Sequence, residues 1–301
     1  MKLSRRLDEA RAWGSGLERQ RGALTAAGVS VGYTYVNGIR LRYAWRPGNG
    51  PPFLLCNGIG ANIELALPLV SAMSKIPMLL FDIPGTGGSP SAWFWPSAQY
   101  YAALAVGLLD ALGHRGNFII GGVSWGGVLA QRIALDYRHR VQCLVLMATS
   151  PGILMVPGKL SALMRMATPQ RYLSRSYMAR HAAAIYGGEM RNRPDRAIEF
   201  AGMTRAPATR TYLQQMAAMT LFTSLPWLHR INCPALVMTG DDDPLVRPIN
   251  ARILTSLLPH GQLHVIRGGG HLFMTLQAER TGKEIEHFLA ASTHSIAGPS
   301  C

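Results

Sequence analysis

Five short apolar runs punctuate this chain: "PFLLC", "PMLLFD", "NFIIGGV", "CLVLM" and "ALVMT". None shows the in–out alternation of a strand with one wet face. Continuous apolar strands suit a parallel sheet covered on both sides, and that requires helices in the connections. The intervening segments supply them. Helical patterns are predicted in "IELALPLVSAMSK", interrupted by Pro68, and over 97–113, 125–138, 248–258 and 277–291. A sixth strand, "LHVI", precedes the last helix. Before the series, "YTYV" and "LRYAW" flank Asn37-Gly38, a two-residue hairpin signal. The expectation is an α/β fold with a mostly parallel eight-stranded sheet and helices on both faces.

At 301 residues and 48% hydrophobic content the chain can bury a large core, and only 15% charged residues argues against a disordered tail protein. The net charge of +14 favours anionic partners. No zinc-finger spacing or aromatic–basic RNA motif accompanies it, so nucleic acid is not expected as a partner. Cys56 and Cys143 lie in apolar runs and Cys233 just before one. They read as buried, reduced thiols, and their spacing with Cys301 fits no metal site. The charged amino terminus lacks the apolar segment of a secretory signal, and no run of 18 apolar residues is present, so a soluble cytoplasmic protein without a transmembrane segment is expected.

Residues 1–28 form a basic N-terminal arm, and 292–301 a disordered tail. The α/β core is expected over 29–150 and 231–291. Between them, 151–230 differs in composition: eight of the 14 methionines lie there, with ten arginines and Lys159 against three acids. It is read as a helical lid over the carboxyl edge of the sheet. Its methionines suit either a greasy acyl chain or ordinary helix packing. Its arginines suit free carboxylates, an anionic granule surface, or plain solvation.

Ligands of such sheets sit beyond the strands' carboxyl ends. One of those loops reads Gly122-Val123-Ser124-Trp125-Gly126, a G-x-S-x-G between strand and helix. The sharp turn strains the central residue and projects its hydroxyl, and side chains two positions either side would clash, so Gly122 and Gly126 fit. Ser124 is therefore the candidate nucleophile. A serine needs a base, and the base an orienting acid, in the chain order Ser, Asp, His. "GDDDPLV" offers Asp241, Asp242 and Asp243 after a strand. Asp243 has the better reach, while the other two suit capping or solvation. Among histidines, His271 follows the last strand behind three glycines, His264 lies within that strand, and His260 lies in a turn. His271 is the candidate base. The oxyanion donors are expected to be the amides of Trp125 and Ile59, the latter in the loop "CNGIGAN", with Asn57, Gly58 and Gly60 shaping it. No cofactor or metal is called for.

With those residues in place, the chain resembles the α/β-hydrolase superfamily, from about 30 to 291. The hairpin, "DIPGTGGS" and the insertion agree. "NGIGANIELALP", "GVSWGG", "MVPGK", "IYGG", "GDDDPL" and "GGHLF" are similar to the intracellular poly(3-hydroxyalkanoate) depolymerases for medium-chain polymers, which also carry Asn-Gly, here Asn57-Gly58, at the oxyanion loop. The resemblance implies Ser124 as nucleophile, Asp243 as acid and His271 as base. It also implies hydrolysis of 3-hydroxyacyl esters, with a hydrophobic polyester or acyl ester as substrate and the storage granule as surface. The polymer synthases of the superfamily use cysteine, so serine favours water as acyl acceptor. A general carboxylesterase or lipase, and a 3-hydroxyacyl thioesterase or acyltransferase, are the alternatives.

Overall fold

The computed structural model describes residues 22 and 24–296, residue 168 excepted. The hairpin β1 (Ser30–Val36) and β2 (Ile39–Arg46) turns at Asn37 and Gly38, whose φ angles are 50° and 76°. Then follow β3 (Phe53–Cys56), α1 (Leu67–Ala72), β4 (Met78–Phe81), α2 (Ala98–Ala111), β5 (Phe118–Val123), α3 (Trp125–Asp136) and β6 (Val141–Met147). An insertion carries α4 (Leu160–Met166), α5 (Gln170–Leu173), α6 (Arg175–Tyr186), α7 (Glu189–Asn192), α8 (Pro194–Met203) and α9 (Thr209–Thr220). The core resumes with β7 (Ala235–Gly240), α10 (Pro248–Leu257), β8 (Gly261–Ile266), α11 (Phe273–Leu276) and α12 (Ala278–Ile296).

All eight strands form one sheet in the order β1-β2-β4-β3-β5-β6-β7-β8. Pairing is antiparallel for β1–β2 and β2–β4 and parallel elsewhere. Alternate residues of the buried strands feed different cores. Leu54, Cys56, Phe118 and Ile120 pack with α2 and α3 on one face. Phe53, Leu55, Ile119 and Val123 pack with α1 and α12 on the other. The sheet is thus apolar on both sides, which is why its strands read as unbroken hydrophobic runs.

Three local readings change. Pro68 does not interrupt a helix. A 3-10 turn, Ile63–Ala66, leads into α1, and Pro68 sits in its first turn, where no amide hydrogen bond is lost. The tail expected from 292 is helical through Ile296, the end of α12; 297–301 lie outside the described residues. Of the basic arm, 1–21 and 23 lie outside them too, while Leu24 and the buried Ala27 already pack against the sheet. Cys56 and Cys143 are buried free thiols, Cys233 is a partly buried one, and Cys301 is outside the described residues.

The insertion has its own small core, including Ala162, Met178, Ile185, Met190 and Phe200. Its ends meet where Gly152 bridges Thr223, flanked by Ile153 N–H to Phe222 O at 2.8 Å and Ser224 N–H to Pro151 O at 2.8 Å.

Candidate active site

Ser124 stands at the β5–α3 joint with φ 53° and ψ −116°. A non-glycine residue held there carries about 1–3 kcal/mol of strain, which the surroundings must support. They do so through both peptide groups. Ser124 N–H donates to Met147 O at 2.9 Å, and its carbonyl accepts from Thr149 Oγ1 at 2.7 Å and Gly127 N–H at 2.9 Å. A Cβ on Gly122 would lie 2.1 Å from Gly126 O, and one on Gly126 would lie 2.0 Å from Cys56 O. Backbone meets backbone at both positions, so only glycine lets β3, β5 and α3 converge.

The loop after β7 separates the three aspartates. Asp243 is buried: its Oδ1 accepts the amides of Leu245 and Val246, each at 2.9 Å, and its Oδ2 lies 2.8 Å from His271 Nδ1. Asp242 faces the insertion instead, accepting Gly188 N–H at 2.7 Å and Arg191 Nε at 2.6 Å. Those contacts hold its carboxyl below the usual range, the Arg191 hydrogen bond most of all. Asp241 is exposed at its side chain. His264 pairs with Glu284 at 3.3 Å on the rim, and His260 lies exposed in the turn before β8.

His271 is buried and fixed at its backbone as well as its ring. Its N–H donates to Tyr186 O at 2.7 Å, and its imidazole stacks on the Tyr186 ring with centroids 6.3 Å apart. The "IYGG" turn of the insertion thus braces the histidine loop. Ser124 and His271 line one largely apolar cavity, with Leu55, Leu65, Leu69, Val123 and Phe200 in its wall. Asn57, Gly58 and Ile59 line it too. Gly60 lies just behind, with φ +68°, and its N–H donates to Gln215 Oε1 at 2.9 Å. A Cβ on Gly58 would face the Ser124 Cβ at 3.7 Å. Trp125 is the first residue of α3, so its amide has no carbonyl one turn back to bond. Its ring is wholly buried and meets Tyr101 edge-on at 6.2 Å.

Two features of the site depend on arginines that no periodic or motif signal in the sequence marks. From the insertion, Arg171 Nη2 donates to Ile59 O at 3.1 Å and the Tyr172 hydroxyl to the same oxygen at 2.7 Å. Below the loop, Arg42 binds Glu64 at 2.7 Å and Asp82 at 2.9 Å, all three buried. Asp82 also accepts Ile63 N–H at 2.8 Å and Gly88 N–H at 2.8 Å. Burial pushes Asp82 up from the ordinary carboxylate range, whereas the Arg42 hydrogen bond overcomes burial at Glu64 and holds it below. This cluster ties β2, β4 and the segment after the β3 loop together. Of the insertion's methionines, Met166 lines the cavity, while Met178 and Met190 are core. Ordinary helix packing thus claims more of them than the cavity does.

The alpha/beta hydrolase fold family matches residues 51–276. Poly(3-hydroxyalkanoate) depolymerase of Ectopseudomonas oleovorans is 43% identical over 252 residues, covering 83% of this chain and 88% of that one. Lipase 3 of Moraxella sp. (strain TA144) is 22% identical, covering 85% and 82%. Among solved structures, a bacterial membrane phospholipase A aligns over 97% of both chains with a TM-score of 0.79 at 19% identity. The enol-lactonase of Burkholderia xenovorans LB400 aligns over 86% of this chain and all of that one, with a TM-score of 0.75 at 21% identity. At such identities the structural likeness speaks for the fold, and the sheet order and the family match agree with it: this chain belongs to the α/β-hydrolase family.

Proposed function

We propose that this protein is a serine hydrolase that cleaves the ester bonds of poly(3-hydroxyalkanoate), of the medium-chain kind, to 3-hydroxy acids or oligomers. The observation that carries the reading is the buried Asp243–His271 pair, whose histidine lines the same apolar cavity as Ser124. With Asp243 on Nδ1, the imidazole keeps Nε2 free to take the serine proton. In the proposed cycle Ser124 Oγ attacks the ester carbonyl as His271 removes its proton. The Ile59 and Trp125 amides receive the developing oxyanion. The tetrahedral intermediate collapses, the C–O bond breaks, and His271 protonates the departing alcohol. Water, deprotonated by the same imidazole, then releases the acid from Ser124.

The 43% identical depolymerase supports the choice of polyester, and the apolar cavity wall supports medium-length side chains. In this reading the insertion acts as a lid and as a docking face for storage granules inside the cell. Large apolar side chains exposed on it and on the neighbouring loop support this: Trp93, Trp95, Leu160, Met164 and Leu221. Among the described residues no helix is long and apolar enough to cross a membrane.

The test is release of 3-hydroxy acids from C8 and C4 polymer granules, run beside p-nitrophenyl octanoate. Release from C8 granules is expected, with none from Ser124→Ala protein. Turnover of the p-nitrophenyl ester without attack on either polymer would leave a general carboxylesterase in place of the depolymerase.

A further inference from the structure

Among the described residues, Arg171 is a buried cation without a counter-ion. It enters from α5, is only 3% exposed, and lines the cavity that Ser124 and His271 share. Its Nη2 serves Ile59 O and the Tyr172 hydroxyl, but Nε and Nη1 are buried without a partner. Among the described residues no carboxylate pairs with it. Three tyrosines surround it instead, and its guanidinium lies 4.5 Å from the Tyr172 ring centroid and 5.6 Å from that of Tyr212. Burial pushes the Tyr186 and Tyr212 hydroxyls up, so both stay neutral and supply no negative charge. Ring faces offset part of the desolvation of a guanidinium, but a lasting unpaired charge in an apolar wall is costly. Bracing the Ile59 carbonyl needs one donor. It does not need a permanent charge with two further donor groups left bare.

We propose that Arg171 is a carboxylate subsite: it binds the free carboxylate end of the polyester and directs Ser124 to the last ester bond of the chain. The inference rests on the depolymerase reading and deepens it. A poly(3-hydroxyalkanoate) chain has a hydroxyl at one end and a carboxylate at the other. In its terminal ester, that carboxylate sits on the alcohol side, two carbons from the ester oxygen. Guanidinium matches it with paired N–H donors. Attack by Ser124 Oγ then leaves the shortened chain as the acyl group and expels one 3-hydroxy acid, its new hydroxyl protonated by His271. Hydrolysis of the acyl-enzyme gives the shortened chain a fresh carboxylate, so the same subsite serves the next cycle. Degradation proceeds from the carboxyl end, one unit at a time.

The experiment compares kcat/KM for the dimer of 3-hydroxyoctanoate as free acid and as methyl ester. The two differ only at the proposed anchor. The wild-type protein is expected to prefer the acid at least tenfold, Arg171→Met to bring the ratio near one, and Arg171→Lys to keep part of the preference. The ratio cancels any general damage to the oxyanion loop. Equal use of acid and ester by the wild type overturns the subsite, as does an unchanged ratio in Arg171→Met. If p-nitrophenyl octanoate is still hydrolysed in that case, the hydrolase reading survives alone. If no ester is turned over, the depolymerase reading fails, and calorimetric titration of sodium 3-hydroxyoctanoate decides the subsite. Binding to Ser124→Ala protein that weakens at least tenfold in Ser124→Ala/Arg171→Met supports it, and equal or absent binding in both overturns it.

Discussion

Asp243→Asn is the substitution whose outcome the structure determines most closely. The carboxylate has two separate duties: Oδ1 takes the amides of Leu245 and Val246 at 2.9 Å each, and Oδ2 faces His271 Nδ1 at 2.8 Å. Asparagine has one acceptor end and one donor end. Two backbone donors hold the acceptor at the Oδ1 position, so the side-chain NH₂ must face the imidazole. Nδ1 then has to accept a hydrogen bond, and the ring proton moves to Nε2, the nitrogen that should take the serine proton. The volume and both backbone hydrogen bonds survive, so stability should change by less than about 1 kcal/mol. The rate should not survive. Losing the working tautomer and the support for imidazolium costs roughly 10⁴ in kcat, or about 5.5 kcal/mol of barrier. The assay is steady-state hydrolysis of p-nitrophenyl octanoate, with KM expected within a few-fold of wild type and Tm within a few degrees. Retention of a tenth or more of kcat would refute the tautomer argument. So would an equal loss from Asp242→Asn, whose carboxylate faces Arg191.

Three other outcomes follow. Gly126→Ala would put a methyl 2.0 Å from the Cys56 carbonyl, backbone against backbone, so the purified variant should be insoluble or unfolded by circular dichroism; a folded, active variant contradicts the packing at the elbow. Arg42→Met strands Glu64 and Asp82, 2% and 0% exposed at their side chains. It should cost about 3–5 kcal/mol, seen as a Tm fall of roughly 5–8 °C, and a fall under 2 °C would rule the cluster out as a structural tie. Burial pushes the Cys56 and Cys143 thiols up to about 12 and about 11, so both stay protonated at pH 8. Neither should react with iodoacetamide in the native protein at that pH, and both should react in denaturant, as mass spectrometry will show.

The sheet was legible because burial on two faces leaves a trace in one dimension: each core strand is an apolar run, and each connection repeats at helical period. The serine turn was legible for a related reason, since glycines at 122 and 126 record a clash that is local in sequence. Asp243 could be favoured over its neighbours only by reach, and the feature that separates them is the pair of amides two and three residues on. Arg171, Gln215 and Arg42 were not legible. Each reaches a partner more than 20 residues away, and one arginine among ten in a basic insertion carries no pattern. The helical tail to Ile296 was missed because the sequence loses hydrophobicity before the backbone loses its helix.

The α6–α7 corner is fastened to both loops that carry the histidine and its acid. Tyr186 holds the His271 amide, Gly188 and Arg191 hold Asp242, and Gly187 packs against the Asp242 carbonyl. That half of the insertion cannot swing aside without loosening the imidazole, so any path for incoming polymer has to pass elsewhere on the rim. It also means that substrate preference and reactivity are not separable modules in this chain. Transplanting a foreign insertion, to change the cargo, would bring a mismatched bracket for 242 and 271 unless those loops travelled with it.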